Sequence, residues 1–203
     1  RDASIAHLGR VVDLTRRLAA WFDRAKVPRI IVNAGGFTQD GPMAEVERAS
    51  RYEMVVDGLA QLDLVGVEVI PQTMPPYPWH FGGQRYQNLF MDPWEIAEFC
   101  EKHEMRICLD TSHSKLACTE HHWSFSEFLR VLGPYTSHLH IADASGVDGE
   151  GLQVHEGEID FPAMGAILRE VAPDASFIPE IWQGHKNGGE AFWRALELLE
   201  GEL

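Results

Sequence analysis

Five short runs rich in β-branched and apolar residues recur along this chain, starting near residues 29, 64, 106, 137 and 176. They are 29–33 (RIIVN), 64–70 (LVGVEVI), 106–109 (RICL), 137–141 (SHLHI) and 176–181 (SFIPEI). Intervals of roughly 30–40 residues fit a strand plus a returning helix, so each run reads as the strand of a βα unit. Short strands that are apolar throughout are covered on both faces, which implies a parallel sheet flanked by helices. The helices can be placed between them. In 4–26, Ile5, Leu8, Val11, Val12, Leu18, Ala19 and Phe22 recur near helical spacing, and Pro28 closes the segment. Residues 42–62 read as a second helix. Asp92 and Pro93 supply an N-cap and a first helical residue for a third, which runs to about His103. Ser124 and Glu127 form a capping box for a helix ending at Gly133; Asp160 caps one reaching about Val171; 189–201 form the last. Nothing resembles a linker, so the chain reads as one α/β domain over 1–203. No GxGxxG or GxxxxGK[ST] follows a strand, which favours a (β/α) barrel over a nucleotide-binding doubly wound sheet.

Composition removes several functions. The 203 residues carry 31 acidic and 17 basic side chains, a formal charge of −14. A non-specific nucleic-acid footprint needs basic surface to displace counterions, so no nucleic-acid partner is expected. A small anionic substrate held by a few local donors stays compatible with this charge. No run approaches the ~18 apolar residues of a membrane span. The first ten residues lack the apolar stretch of a secretory leader. Cys100, Cys108 and Cys118 fit neither CxxC nor a bridged framework. We therefore expect a cytoplasmic protein with reduced thiols.

Metal-ligand side chains stand at or just past the C-terminal end of nearly every strand. The first strand ends at Asn33, the second offers Glu68 and Gln72, and the third offers Asp110 and His113. The fourth offers His138, His140 and Asp143, and the fifth offers Glu180. A parallel barrel gathers these ends on one face, where its sites lie. Carboxylate and imidazole groups meeting there suit a divalent transition metal with open positions. Mn²⁺ or Zn²⁺ is favoured by this donor mix, with Mg²⁺ or Co²⁺ compatible. The stretch 71–91 has no helical period and is rich in Pro, Gly and aromatic residues, so it reads as a long loop at the same end. A loop of that length in a compact domain is commonly a lid. Trp79, His80, Phe81 and Tyr86 could stack on or hydrogen-bond a substrate, and Arg85 could pair with its carboxylate or phosphate. Trp182, His185 and Lys186, just after Glu180, could form the opposite wall, with Asp143 as a further substrate contact. His121 and His122 read as a solvated polar loop.

The segments 107–113 (ICLDTSH), 138–143 (HLHIAD), 156–161 (EGEIDF) and 177–180 (FIPE) resemble the xylose isomerase-like TIM-barrel superfamily. That group includes sugar-phosphate isomerases and epimerases and the apurinic/apyrimidinic endonucleases. Residues 69–86 further resemble a TIM-barrel domain attached to sialic-acid-synthase-like proteins. The resemblance implies that Asp110, His140 and Glu180 are metal ligands, with Glu180 also a catalytic base. It makes His113 a catalytic, substrate-facing group. The family's remaining ligand is a Glu on the preceding strand, and the register puts Gln72 in its place. Glu68 shares that strand face but sits about 13 Å deeper toward the barrel bottom.

Two departures from the family narrow the chemistry. Gln72 offers a cation an oxygen but no charge, and it cannot act as a base. Family epimerases use two metal-bound carboxylates, one on each face of the substrate, so one of those bases is missing here. The endonucleases' extra His after the first strand is Asn33 in this chain, and 151–157 lacks their Asp-x-His. His155 instead takes the place of a turn glycine, so DNA cleavage is not expected. The leading expectation is a divalent-metal isomerase of a sugar, sugar phosphate or polyhydroxy acid. A lyase or dehydratase using Glu180 alone, and a sugar-binding domain that lost catalysis, are the alternatives. Length sharpens the architecture. A full eight-stranded barrel typically takes ~250 residues. The five strands match the family's last five, β4–β8, so we expect an incomplete barrel lacking the N-terminal units. Its open edges would be completed by a longer chain or a homo-oligomer.

Overall fold

The computed structural model describes residues 1–21, 27–80 and 83–202; the end of the first expected helix beyond Trp21, and Phe81, lie outside the described residues. Among the described residues nine strands form: β1 (Arg29–Val32), β2 (Glu68–Pro71), β3 (Trp79–His80), β4 (Gly83–Gln84), β5 (Ile107–Asp110), β6 (Thr136–Ile141), β7 (Asp143–Ser145), β8 (Gly149–Leu152) and β9 (Ser176–Pro179). The same residues contain seven α-helices: α1 (Asp2–Leu18), α2 (Glu45–Leu59), α3 (Pro93–His103), α4 (Thr111–His121), α5 (Phe125–Leu132), α6 (Phe161–Val171) and α7 (Glu190–Leu199).

The five expected strands are β1, β2, β5, β6 and β9, and all their pairings are parallel. β1 pairs β2, and β5, β6 and β9 form a second ladder. The two sheets meet at a single bridge, Gln72 opposite Cys108, where the Thr73 N–H donates to the Cys108 carbonyl at 3.0 Å. The strands therefore lie in sequence order along one arc. Among the described residues the arc does not close: β1 pairs only with β2, and β9 only with β6.

Side chains close part of the arc's lower end. Arg29, at the start of β1, donates to Glu68 at 2.8 Å and to the hydroxyl of Ser176, at the start of β9, at 3.0 Å. That hydroxyl also lies 2.8 Å from His138 Nδ1. Burial and the neighbouring charges of His140 and Arg29 push His138 down to about 4. Glu68 thus neutralises Arg29 at the bottom of the arc, far from the strand ends.

The main core lies between the sheet and α3, α5 and α6. Ile107 and Leu109 of β5 and Leu139 and Ile141 of β6 pack with Ile96, Phe128, Leu129, Phe161 and Met164. Each such buried side chain contributes ~1.5–3 kcal/mol relative to exposure. A smaller cluster, Val12, Ile30, Val67 and Val69, fixes α1 on β1 and β2. No described helix is long and apolar enough to cross a membrane.

Three segments differ from the expectations, the first being the stretch 71–91, which carries the short antiparallel pair β3–β4. Residues 111–121 are a helix, so His121 lies in its last turn, stacked on Trp123 at 4.5 Å, and His122 is its left-handed C-cap. The apolar period is missing because α4 buries Thr111, Ser112 and Ser114. Each of these is satisfied locally: Thr111 by the Ala142 backbone, Ser114 by Thr73, and Ser112 by the Gly151 N–H. Residues 143–152 form the antiparallel hairpin β7–β8, too rich in glycine to read as strands. His155 has a φ of 67°, the left-handed backbone expected at a turn-glycine position.

All three thiols are free and buried, and burial raises Cys100 and Cys118 to about 12 and Cys108 further. A thiolate-dependent reagent such as Ellman's should label none of them in the folded protein at pH 8, and all three after unfolding in guanidinium. Rapid labelling of the native protein would contradict this packing.

Candidate metal centre

The strand ends converge as the parallel arrangement requires. Asp110 ends β5, His140 is the fifth residue of β6, and Glu180 follows β9 directly. Asp110 pairs in register with His140, and the Glu180 N–H donates to the Ile141 carbonyl at 2.9 Å. One ligand atom from each of the three side chains falls within 4.8 Å of the others.

Asp110 is fully buried and also caps α4. Its Oδ1 accepts the His113 N–H at 2.9 Å, and its Oδ2 accepts the Gln72 amide at 2.7 Å. Its own N–H donates to the Thr73 hydroxyl at 2.8 Å. Burial and the charge of Glu180 hold the Asp110 carboxyl well above the usual carboxylate range. Glu180 moves the other way. Burial works against its charge, but the close approach and charge of the His140 ring outweigh it and lower the carboxyl. The His140 ring is raised in turn, with burial opposed by Glu180 and Asp110.

His140 Nδ1 lies 2.6 Å from Glu180, yet neither ring nitrogen has a partner in hydrogen-bond geometry. The pair has the distance of a contact without its direction, as when two donor atoms face one common point. Two carboxylates and an imidazole around that point want a positive charge, and this donor set fits a divalent ion.

His113 stands beside this trio. Its Nδ1 lies 2.9 Å from the Thr73 carbonyl, which can only accept, so Nδ1 carries the proton. The 3.4 Å contact to the Gln72 amide nitrogen is then a meeting of two donors rather than a bond. Burial lowers the His113 ring, so the neutral form has its lone pair on Nε2. That atom faces Glu150 at 3.6 Å.

Asp110, His113, Glu150, Glu180, Trp182 and Lys186 share the lining of one cavity of about 540 Å³. A larger one, about 880 Å³, lies between α1, β1 and α2, is lined mainly by apolar side chains and has no acid–base cluster.

The remaining expected residues fall in different places. Gln72 reaches the site, but with its amide nitrogen toward Asp110, so it supports that ligand. Trp182 and Lys186 line the cavity, Lys186 hydrogen-bonded to Gln183 at 2.8 Å. Arg85 is half-buried and not among the cavity's lining residues. Trp79 and His80 form β3, and their side chains lie outside the described residues. The loop they belong to is pinned at its base, Met74 to Phe90 and Gln87 to Pro76 by backbone hydrogen bonds.

The substrate contact expected of Asp143 is corrected. Asp143 is fully buried; its Oδ1 accepts the Ala144 and Ile159 N–H groups and its Oδ2 the Gly157 N–H, at 2.7–3.0 Å. It ties the β7–β8 hairpin to the chain that follows, is buried and is not among the residues lining the cavity. The sequence reading missed Glu150, because only the hairpin brings it to His113. The two glycines flanking Glu150 were the signal for a tight approach.

Comparison with known proteins agrees with this architecture. The chain belongs to the xylose isomerase-like TIM barrel family, whose profile matches residues 1–200. Its fold is similar to a xylose isomerase domain protein from Planctomyces limnophilus, at 19% identity and TM-score 0.69, over 100% of this chain and 66% of that one. It is also similar to a D-psicose 3-epimerase solved in the presence of D-fructose, at 15% identity and TM-score 0.68, covering 100% and 71%. A mannonate dehydratase from Streptococcus suis serotype 2 aligns at 16% identity and TM-score 0.60, covering 100% and 71%. At these identities the likeness is one of fold. The chain spans about two thirds of the length of these structures. No curated protein matches it.

Asp143→Asn replaces one acceptor by a donor facing a buried N–H. It should cost about 2–4 kcal/mol in denaturant unfolding while leaving metal binding intact. Unchanged stability with weakened ligand binding would restore the substrate-contact role.

Proposed function

We propose that this chain is part of a divalent-metal-dependent enzyme that moves a proton beside the carbonyl of a sugar, sugar phosphate or polyhydroxy acid. Isomerisation or epimerisation is the leading reaction. The observation that carries this reading is the convergence of Asp110, His140 and Glu180 to within 4.8 Å at successive strand ends. A divalent ion held by these three, Mn²⁺ or Zn²⁺ by their donor types, would polarise a substrate carbonyl or hydroxyl.

The chain's own groups do the rest. Glu180 is half exposed to the cavity and is the carboxylate that removes a proton from the carbon beside the carbonyl. Asp110, with both oxygens engaged, holds its place. His113 Nε2 offers a hydroxyl an acceptor. Trp182 gives the substrate an apolar wall and Lys186 a positive charge, which suits a phosphate or carboxylate end.

Gln72 supports a second reading, a lyase or dehydratase in which Glu180 is the only metal-bound base. The similarity to a mannonate dehydratase is consistent with it. Product analysis separates the two: loss of water marks the lyase, an isomer of unchanged mass the isomerase. Ligand-induced stabilisation without turnover would mark a binding domain.

Mn²⁺ or Zn²⁺ at a hundredfold excess over Kd should raise Tm by roughly 5–10 °C, and Asp110→Asn or His140→Ala should abolish the shift. No shift and no bound metal after chelator-free purification would sink the proposal. Glu180→Gln should lower kcat by about 10²–10⁴, with the metal-dependent shift reduced but present.

A further inference from the structure

Glu150 lies outside the ligand trio and has no part in the reading above. It is nevertheless held firmly in place. The next residue, Gly151, donates its N–H to Ser112 at 3.0 Å and accepts the Trp182 N–H at 2.7 Å. This pins strand β8 of the hairpin, next to Glu150, between α4 and the chain after β9. Gly151 has a φ of +71°, and a Cβ there would lie 3.2 Å from the Trp182 nitrogen, so a side chain at 151 would push the hairpin away. The approach that brings Glu150 in depends on that glycine.

The surroundings of Glu150 leave its carboxylate available. His113 Nε2 is 3.6 Å away, too far for a hydrogen bond. The carboxylate therefore stands at the cavity wall with acceptor sites open to a donor such as a substrate hydroxyl. The His113 ring stands between Glu150 and Asp110, with Nδ1 3.2 Å from Asp110. Glu150 thus reaches the cavity from the side of that ring away from Asp110. Of the carboxylates lining the cavity, Asp110 has both oxygens engaged, which leaves Glu180 and Glu150.

We propose that Glu150 is the second acid–base carboxylate of this site, supplying from the β7–β8 hairpin the base that Gln72 does not provide. This rests on the proton-transfer reading above and narrows it to a two-base reaction on an α-hydroxy ketone. One carboxylate takes the proton from the hydroxyl-bearing carbon, and the C–H electron pair moves into an enolate whose charge sits on the former carbonyl oxygen. The other carboxylate, already protonated, gives its proton to the opposite face of the same carbon, and the carbonyl re-forms. No proton is gained or lost. The two carboxyls exchange protonation states and are reset through water.

The test follows the Mn²⁺-loaded protein by NMR in D₂O with a panel of ketopentoses and ketohexoses. It reads deuterium uptake at the carbon beside the carbonyl separately from inversion at that carbon. Wild type is expected to do both. Glu150→Gln should lose inversion by at least about 10²-fold yet keep deuterium uptake into one epimer, because Glu180 still serves that face. Its Mn²⁺-dependent rise in Tm should match wild type. If the Gln variant does not fold, Glu150→Asp, which withdraws the carboxylate by one methylene, should lose inversion about tenfold more than uptake. Inversion within threefold of wild type in the variant, or equal loss of inversion and uptake with the metal shift retained, overturns the role of Glu150 alone. Absence of uptake in wild type with every ketose overturns the proton-transfer reading, and this role with it.

Discussion

Asp110 is the carboxylate on which the strand-end face depends. It lies where β5 turns into α4, and each of its oxygens already has a donor, the His113 N–H and the Gln72 amide. The cap starts α4 at that residue, so His113 one turn later comes back over the same carboxylate. Thr73, in the segment after β2, accepts the Asp110 N–H and directs the His113 ring through its carbonyl. One buried side chain therefore sets a helix start, a ring orientation and one corner of the ligand trio. A buried carboxylate beside Glu180 is costly without a nearby positive charge, and His140 or a bound cation supplies it.

The two ends of the strand arc carry different electrostatics. At the lower end Arg29 is answered by Glu68 and tied to Ser176, and His138 stays neutral because burial disfavours its charge. At the upper end two carboxylates and His140 are crowded together and turned toward one point. The lower network holds β1 near β9 and is complete in itself, whereas the upper one keeps groups directed into the cavity. This contrast assigns Glu68 to the scaffold and Glu180 to the site, although both are glutamates on parallel strands.

Much of this was legible in the residues. Asp92 and Pro93, Ser124, and Asp160 each cap the helix expected of them, because a cap is decided within one turn. The five parallel strands follow from apolar runs at βα spacing. Helix α4 was not legible: its buried face opens with Thr111, Ser112 and Ser114, whose partners come from segments 31 to 41 residues distant. Asp143 was misread for a related reason. An acid after a strand looks like a ligand until the backbone N–H groups of Ala144, Gly157 and Ile159 fold around it.

What the sequence determined by itself was the order of the five parallel strands, the capped helices between them, and the polar side chains at the ends of β5, β6 and β9. Apolar period, capping chemistry and strand spacing are local properties, and parallel strands bring their C-terminal ends together. The tertiary structure decided which acids remain free. Glu68, Asp143 and Glu150 are each carboxylates near a strand, and no pattern along the chain separates them. Arg29 neutralises the first, three backbone donors occupy the second, and the third faces a ring nitrogen that has no proton to give. Those partners lie 39, 14 and 37 residues away or are fixed by such contacts, so only the folded chain sorts scaffold from chemistry.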